Sequence, residues 1–509
     1  MSDEAVARLL RSREPLVIIE AAAGCGKTYQ GASYAQEVVK SLGDGRLLIL
    51  THTHAACSVF ADRTRAVGSR VEIKTIDALI AQIALAYHQP LNLPRDLTAW
   101  AWQNGGEGFE IMAAKVLGFL RVQPMVARAL ACRYPVIICD EHQDSSVDQH
   151  GVVMSLLSAG AKVRIFGDPM QRIYGAKSNK AVLEDRARWE ALKTLGASEK
   201  LTTPHRWEGG GIRLGAWVIK ARQSLEQGTP IDLADNLPPS VRVLEGNDIS
   251  RTRTGYQLSK EHRAPIDKVL RSNPQMMILA SQNDLVTALR AFWRRTVPIW
   301  EGHTREALGA LVQTLRDGHG NAEAMAQGVI TFMGSVAVGF SPSSHGDRLI
   351  QEIRAGAVRP TTGKPAHIQA IARCLLNEPT HTGVSKALSK ISDLVKEAAS
   401  GFDTVKIDHR SEFRDAVRIG QFEEADEGFA EVSRMRSYSR PSPPQKVLSS
   451  IHKAKGLECD HAMLMACDTA QFTSTLYAKS KLYVALSRAR KSLTLVVSTS
   501  NPSPLFKLP

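Results

Sequence analysis

The stretch Leu16-Val17-Ile18-Ile19-Glu20-Ala21-Ala22-Ala23-Gly24-Cys25-Gly26-Lys27-Thr28 decides how the rest of the chain reads. A short β-branched run ending in small residues predicts a buried parallel strand that breaks into a phosphate loop and then a helix. Backbone N–H groups curl around a polyphosphate only where side chains are small, as at Ala21, Ala22, Ala23, Gly24, Cys25 and Gly26. Lys27 then reaches the β- and γ-phosphates and the Thr28 hydroxyl takes a place on Mg²⁺, with Tyr29 counted beside them as a nucleotide contact. Ala21 stands where the strict G-x-x-x-x-G-K-[ST] pattern begins with glycine, and alanine is small enough to keep the loop.

With 509 residues the chain is expected to form several domains with large cores. Its seven cysteines include no C-x-x-C pair, so neither a disulfide framework nor a zinc knuckle is encoded, and a reduced, cytoplasmic setting is expected. The acidic start Met1-Ser2-Asp3-Glu4 argues against a signal peptide. The most apolar segment, 329–340, is interrupted by glycines and too short to span a bilayer, so no membrane is expected. A net charge of +13 points to a polyanionic partner without separating DNA from RNA.

Past the loop, a helix over 29–42 leads to a strand at 47–50 and then Thr51-His52-Thr53, small hydroxylated residues where open α/β sheets place ligands. Thr75 follows a further strand. Both segments are candidates for holding a nucleic-acid phosphate. Residues 85–130 read as an inserted helical subdomain containing Trp100, Trp102 and a turn at Gly105, Gly106 and Gly108. A buried strand then delivers Asp140-Glu141-His142-Gln143-Asp144, and adjacent carboxylates after an apolar strand are costly unless a cation uses them. Asp140 is expected to hold Mg²⁺ and Glu141 to orient and deprotonate the attacking water.

The strand at 163–166 leads into Gly167-Asp168-Pro169-Met170-Gln171-Arg172-Ile173-Tyr174-Gly175, with Gln171 placed to sense a γ-phosphate. Arg206, in Leu201-Thr202-Thr203-Pro204-His205-Arg206-Trp207, is a candidate for stabilising transition-state charge. A second α/β unit begins near 276, and 301–437 turns helical. Its stripes Ala307, Leu308, Leu311, Leu315 and Val384, Leu388, Ile391, Val395 are core. Residues 434–446, with Pro441, Pro443 and Pro444, read as a basic linker. The sheet pattern then returns around His452-Lys453-Ala454-Lys455-Gly456-Leu457-Glu458 and Tyr483-Val484-Ala485-Leu486-Ser487-Arg488-Ala489.

Taken in order, these segments resemble the UvrD/Rep-like superfamily 1 DNA helicases, motif by motif: A-x-x-G-x-G-K-T, T-x-T, D-E-x-Q-D, G-D-x-x-Q-x-I-Y-G, the arginine-bearing fourth motif, H-x-A-K-G-L-E and Y-V-A-x-S-R-A. The resemblance implies an α/β protein with two RecA-like parallel-sheet cores, each with a helical insertion, and ATP between them. It divides the chain into a first core (1–84 and 130–235) with insertion 85–129, and a second core (236–300 and 445–509) with insertion 301–444. By the same resemblance Arg206 and Arg488 clamp the γ-phosphate, Gln171 senses it, and Glu458 meets the ribose beside Gly456. His205 takes the place of the adenine-stacking tyrosine. Thr51, His52, Thr53, Thr75, Tyr174 and His452 fall at nucleic-acid positions. The implied activity is ATP-driven 3′ to 5′ movement on single-stranded or forked DNA.

Three features depart from the family. No glutamine precedes the phosphate loop, which leaves ATP-over-GTP selectivity open. Ala176-Lys177 stands where the family has Trp-Arg, which removes a base-stacking platform worth ~1–3 kcal/mol. The second insertion is small and no nuclease domain is expected after Arg490. That compactness resembles the helicase-like subunits of antiphage systems such as Gabija, which work beside a separate nuclease. Two readings follow: a motor for DNA repair or antiphage defence, or a nucleotide-switched DNA sensor that activates a partner nuclease and unwinds little. A small-molecule kinase would share the phosphate loop but has no use for D-E-x-Q-D or the late arginine.

Overall fold

The computed structural model describes residues 2–97, 100–101, 104, 107–175, 179–252, 255–301, 305–438 and 444–508. The Ala176-Lys177 departure, Trp102, Gly105, Gly106, Pro441 and Pro443 lie outside them. The chain divides into two compact units, one of Met1–Leu97, Asn104–Trp300 and Ser442–Pro509, the other of Thr98–Gln103 and Glu301–Pro441.

The first unit holds two large parallel sheets. One comprises β1 (Leu16–Ala21), β2 (Leu47–Thr51), β3 (Val71–Thr75), β4 (Val136–Cys139), β5 (Lys162–Gly167) and β6 (Ala197–Leu201), in the order β3-β2-β4-β5-β1-β6. Every side chain of β1, β2 and β4 is buried, as expected of strands covered on both faces. Because all pairs are parallel, Ala21, Thr51, Thr75, Cys139, Gly167 and Leu201 end at one edge, and the loops carrying the sequence motifs leave from it. Between β3 and β4 lie the helices Ile76–Ala86, Gly108–Val122 and Pro124–Arg133.

The other sheet comprises β7 (Val241–Glu245), β8 (Met276–Ala280), β9 (Lys446–Ser450), β10 (Cys459–Cys467) and β11 (Ala489–Val497), in the order β9-β8-β10-β11-β7. Its pairs are also parallel. Two parallel sheets in an α/β chain are what a pair of RecA-like cores requires.

Several elements were not expected from sequence, among them the helices Asn179–Leu195 and Lys260–Ser272 and two elements beside the first sheet. The helix Ser2–Leu10 packs on the first sheet because Arg164, buried within β5, donates hydrogen bonds to the carbonyls of Leu10, Ser12 and Glu14 at 2.8–3.1 Å. That satisfies C-terminal carbonyls that a helix end leaves open. The edge strand β6 has the half-exposed sequence Ala-Ser-Glu-Lys-Leu, without an apolar run.

Between the sheets runs one apolar cluster in which Met170, Ile173, Trp207 and Leu214 meet Leu482, Tyr483, Leu486 and Ala489. Trp207 is fully buried and its indole N–H donates to the Ala489 carbonyl at 2.8 Å. Trp207→Ala is expected to cost about 3–5 kcal/mol of stability, read from urea unfolding of the intact chain.

The second unit is helical. Its core contains Leu308, Leu311, Leu315, Val384, Leu388 and Ile391, with Ala307 and Val395 partly buried against them. The helix Ala425–Tyr438 runs into the stretch read as a linker, because Arg434, Met435 and Arg436 favour continued helix. Acidic and basic residues nearly balance in 301–441, so the positive excess belongs to the two-sheet unit. Among the described residues no helix is long and apolar enough to cross a membrane.

Candidate active site

The phosphate loop leaves β1 and enters the helix Lys27–Val38. Ala21 is the last strand residue, with ordinary extended backbone, which is why alanine serves there in place of glycine. Gly24 and Gly26 have φ of 73° and 87°, and a Cβ on Gly24 would come within 2.7 Å of Arg206 Cβ. A Cβ on Gly26 would meet the His205 ring at 3.2 Å. Cys25 is buried, and burial pushes its thiol pKa up to about 12, leaving it unreactive. Thr28 is half-buried in the first helical turn, while Tyr29 beside it is 65 % exposed.

Lys27 Nζ stands 3.1 Å from Glu141 Oε1. Burial works to lower the Lys27 pKa, but the carboxylates of Glu141, Asp168 and Asp140 outweigh it and the pKa rises. The turn after β4 holds Glu141 in the left-handed region, at φ 52°. It is closed by Asp144 N–H donating to the Glu141 carbonyl at 2.9 Å, and Gln143 Nε2 donates to Glu141 Oε2 at 2.6 Å. Burial raises the Asp140 pKa and the adjacent Glu141 adds to that. For Glu141 burial acts in the same sense, but Lys27, Lys455 and Gln143 win and its pKa falls. Asp140 Oδ1 is buried without a hydrogen-bond partner. An orphaned carboxylate oxygen of this kind fits a hard divalent cation. Gln171 is buried with its amide donating to Asp168 Oδ2 at 2.9 Å, and Asp168 is further held by Arg222.

The second sheet reaches the same loops. The Ala23 N–H donates to the Tyr483 hydroxyl oxygen at 2.8 Å. Arg206 donates to the Ser487 carbonyl and pairs with Glu458, both at 2.6 Å, while its own N–H donates to the Gly24 carbonyl. Lys455, from the loop before β10, pairs with Asp144 at 2.5 Å and donates to the Gln171 carbonyl at 2.8 Å. Arg488 is 2 % exposed and donates to the carbonyls of Val484 and Leu457 and to the Ser487 hydroxyl. No acidic side chain forms an ion pair with Arg488 among the described residues. Burial and then the neighbouring Arg206 push its pKa down to about 10. Gly456, at φ 84°, has open space around it.

Comparison with known families matches two stretches of the chain. Residues 3–177 match the AAA domain family, and residues 447–496 match the UvrD-like helicase C-terminal domain. The chain carries a UvrD/Rep-like helicase core. No curated protein matches it. The helicase core is that of a helicase-type ATPase, a family that uses a nucleotide and usually Mg²⁺ and that binds DNA.

The nucleic-acid candidates of this helicase core fall in two groups. Thr53 and Thr75 cap the helices His54–Arg63 and Ile76–Ala86 with their hydroxyls, and the Thr51 hydroxyl donates to the Thr53 carbonyl at 3.0 Å. Their side chains therefore shape the loops and cap the two helix starts. His52 is hydrogen-bonded to Ser145 at 3.0 Å. Tyr174 and His452 come together from the two sheets, with the tyrosine hydroxyl donating to the His452 carbonyl at 2.9 Å. Tyr483, Lys455, Gln143 and Asp144 carry no role in the sequence reading, although each lies inside a quoted motif.

His205 is held between Asp3, at 2.7 Å, and Glu208. Burial would lower its pKa, but the hydrogen bonds to the two carboxylates raise it above 6.5. The charged ring then contributes fully below its unfolded pKa, and that contribution is lost as pH rises through the higher folded value. Asp3→Asn is expected to flatten the change of melting temperature between about pH 6 and 8, as thermal melts across that range would register.

Proposed function

We propose that this chain is an ATP-dependent motor that moves 3′ to 5′ on single-stranded or forked DNA and separates strands in the cytoplasm, in DNA repair or antiphage defence. The observation that carries the reading is the direct hydrogen bond between the phosphate loop and the helix Leu476–Leu486 that leads into β11, Ala23 to Tyr483, flanked by Arg206 on Ser487. Whatever fills the loop must then be felt by both sheets. On this reading 1–84 with 130–235 and 236–300 with 445–509 are the moving cores, and 85–129 and 301–444 their insertions.

ATP would draw Lys27 from Glu141 onto its phosphates, releasing the Glu141 carboxylate to take a proton from water. Residues 21–26 supply backbone N–H groups to the phosphates, Gln171 senses the γ-phosphate, and Arg206 and Arg488 receive the developing charge. His205 and Tyr29 flank the base, and Gly456 with Glu458 meets the ribose once Arg206 lets go of that carboxylate. Thr28 and Asp140 would hold Mg²⁺, which when bound neutralises charge on the β- and γ-phosphates. Thr51, His52, Thr53, Thr75, Tyr174 and His452 line the strand path.

The test is ATP turnover with single-stranded, duplex and forked DNA and with RNA at rising salt, with Lys27→Ala as the inactive control. Single-stranded DNA should raise the rate, and added salt should weaken binding steeply. Turnover that ignores single-stranded DNA overturns the motor. The second reading, a nucleotide-switched sensor that activates a separate nuclease, draws on Ala176-Lys177 in place of a stacking tryptophan. It predicts co-purification with a nuclease and full function without strand separation.

A further inference from the structure

Behind the turn that carries Glu141 lies a row of hydrogen-bonded side chains that the nucleotide chemistry does not use. His52 Nε2 lies 3.0 Å from Ser145 Oγ, Ser145 Oγ lies 3.2 Å from His142 Nδ1, and His142 Nε2 lies 3.0 Å from His150 Nδ1. Ser145 is fully buried and His142 nearly so. The row begins at the loop after β2 and passes directly behind Glu141. A second tie runs parallel to it: Gln149 Nε2 donates to Asp77 Oδ1 at 2.7 Å, in the first turn of the helix that Thr75 caps. Both strand-end loops proposed to meet nucleic acid are thus bound by side chains to residues 142–149.

We propose that Ser145 and His142 are positioning residues that transmit the state of loop 51–53 to Glu141, so that nucleic acid at the loop sets the rate of hydrolysis. The inference rests on the motor reading above. Elsewhere the turn is already held: Gln143 bridges Glu141 and the Asp168 N–H, and Arg188 donates to the Ser145 carbonyl at 2.9 Å. On the side of loop 51–53, among the described residues, the Ser145 hydroxyl joins His52 to the turn through His142. Hydrogen bonds weaken steeply with stretch and misalignment, so a phosphate that shifts His52 changes the constraint on the His142 ring. Glu141, one residue earlier and held in a left-handed backbone, has little slack to absorb the change.

The experiment compares ATP turnover of the full chain with and without a single-stranded oligonucleotide, for wild type, Ser145→Ala, His142→Asn and His142→Leu. Ser145→Ala should keep the basal rate and nucleotide affinity within about twofold and lose about fivefold or more of the DNA stimulation. His142→Asn, whose amide replaces Nδ1 toward Ser145, should retain stimulation that His142→Leu loses. Melting temperatures recorded alongside identify packing damage, which would lower basal and stimulated rates together. A Ser145→Ala variant stimulated like wild type, or rates that fall in parallel, overturns the relay while leaving the motor intact. A wild type that does not respond to DNA overturns the motor and the relay with it.

Discussion

Glu141→Gln is expected to lower ATP turnover by about 10²–10⁴-fold while nucleotide still binds. The substitution keeps the side chain's size and an oxygen for Gln143 to donate to, so the turn at 140–144 should survive. It removes the negative charge and the capacity to take a proton. It also removes the ion partner that engages Lys27 at 3.1 Å. A lysine released from a competing carboxylate is more available to phosphates, so affinity should hold or tighten as turnover collapses. Steady-state hydrolysis paired with equilibrium binding of a fluorescent nucleotide separates the two effects. Turnover within a few-fold of wild type would remove Glu141 from the catalytic set.

Arg488→Ala should cost about 10³–10⁵-fold in turnover, the range seen when an arginine that stabilises a transferring phosphoryl group is lost. Arg488 is buried, and among the described residues its guanidinium is matched by two carbonyls and a hydroxyl. Burying a charge without a counter-charge is costly, and an incoming anion would relieve that cost. Because alanine also removes the hydrogen bonds to Val484, Leu457 and Ser487, Arg488→Lys is the control, retaining charge while losing the planar fork. Both variants should bind nucleotide near wild-type affinity, and both should hydrolyse it poorly. An alanine variant that turns over normally would show that the arginine serves packing alone.

The sequence by itself marked the strands and the phosphate loop. Short apolar runs marked β1, β4 and β8 within a residue or two, because burial on both faces of a parallel sheet leaves a local signature. Side-chain size and spacing were enough to identify the phosphate loop. The helix Ser2–Leu10 had a weaker signal, Ser2-Asp3-Glu4 ahead of Val6, Leu9 and Leu10, and depends on Arg164 more than 150 residues away. The edge strand β6 had no signal, since an exposed strand can form from polar residues when a neighbour supplies its hydrogen bonds.

Only the tertiary structure decided which residues face each other. Lys27 meets Glu141, His205 meets Asp3, and the Ala23 amide meets Tyr483, pairs separated by 114, 202 and 460 positions. The strand order, with β1 between β5 and β6, brings the phosphate loop against both the Asp168 loop and the Arg206 loop. No local pattern encodes that order, because it depends on how whole strands and helices bury one another. A motif names what a residue can do, and the sheet decides what it does it to.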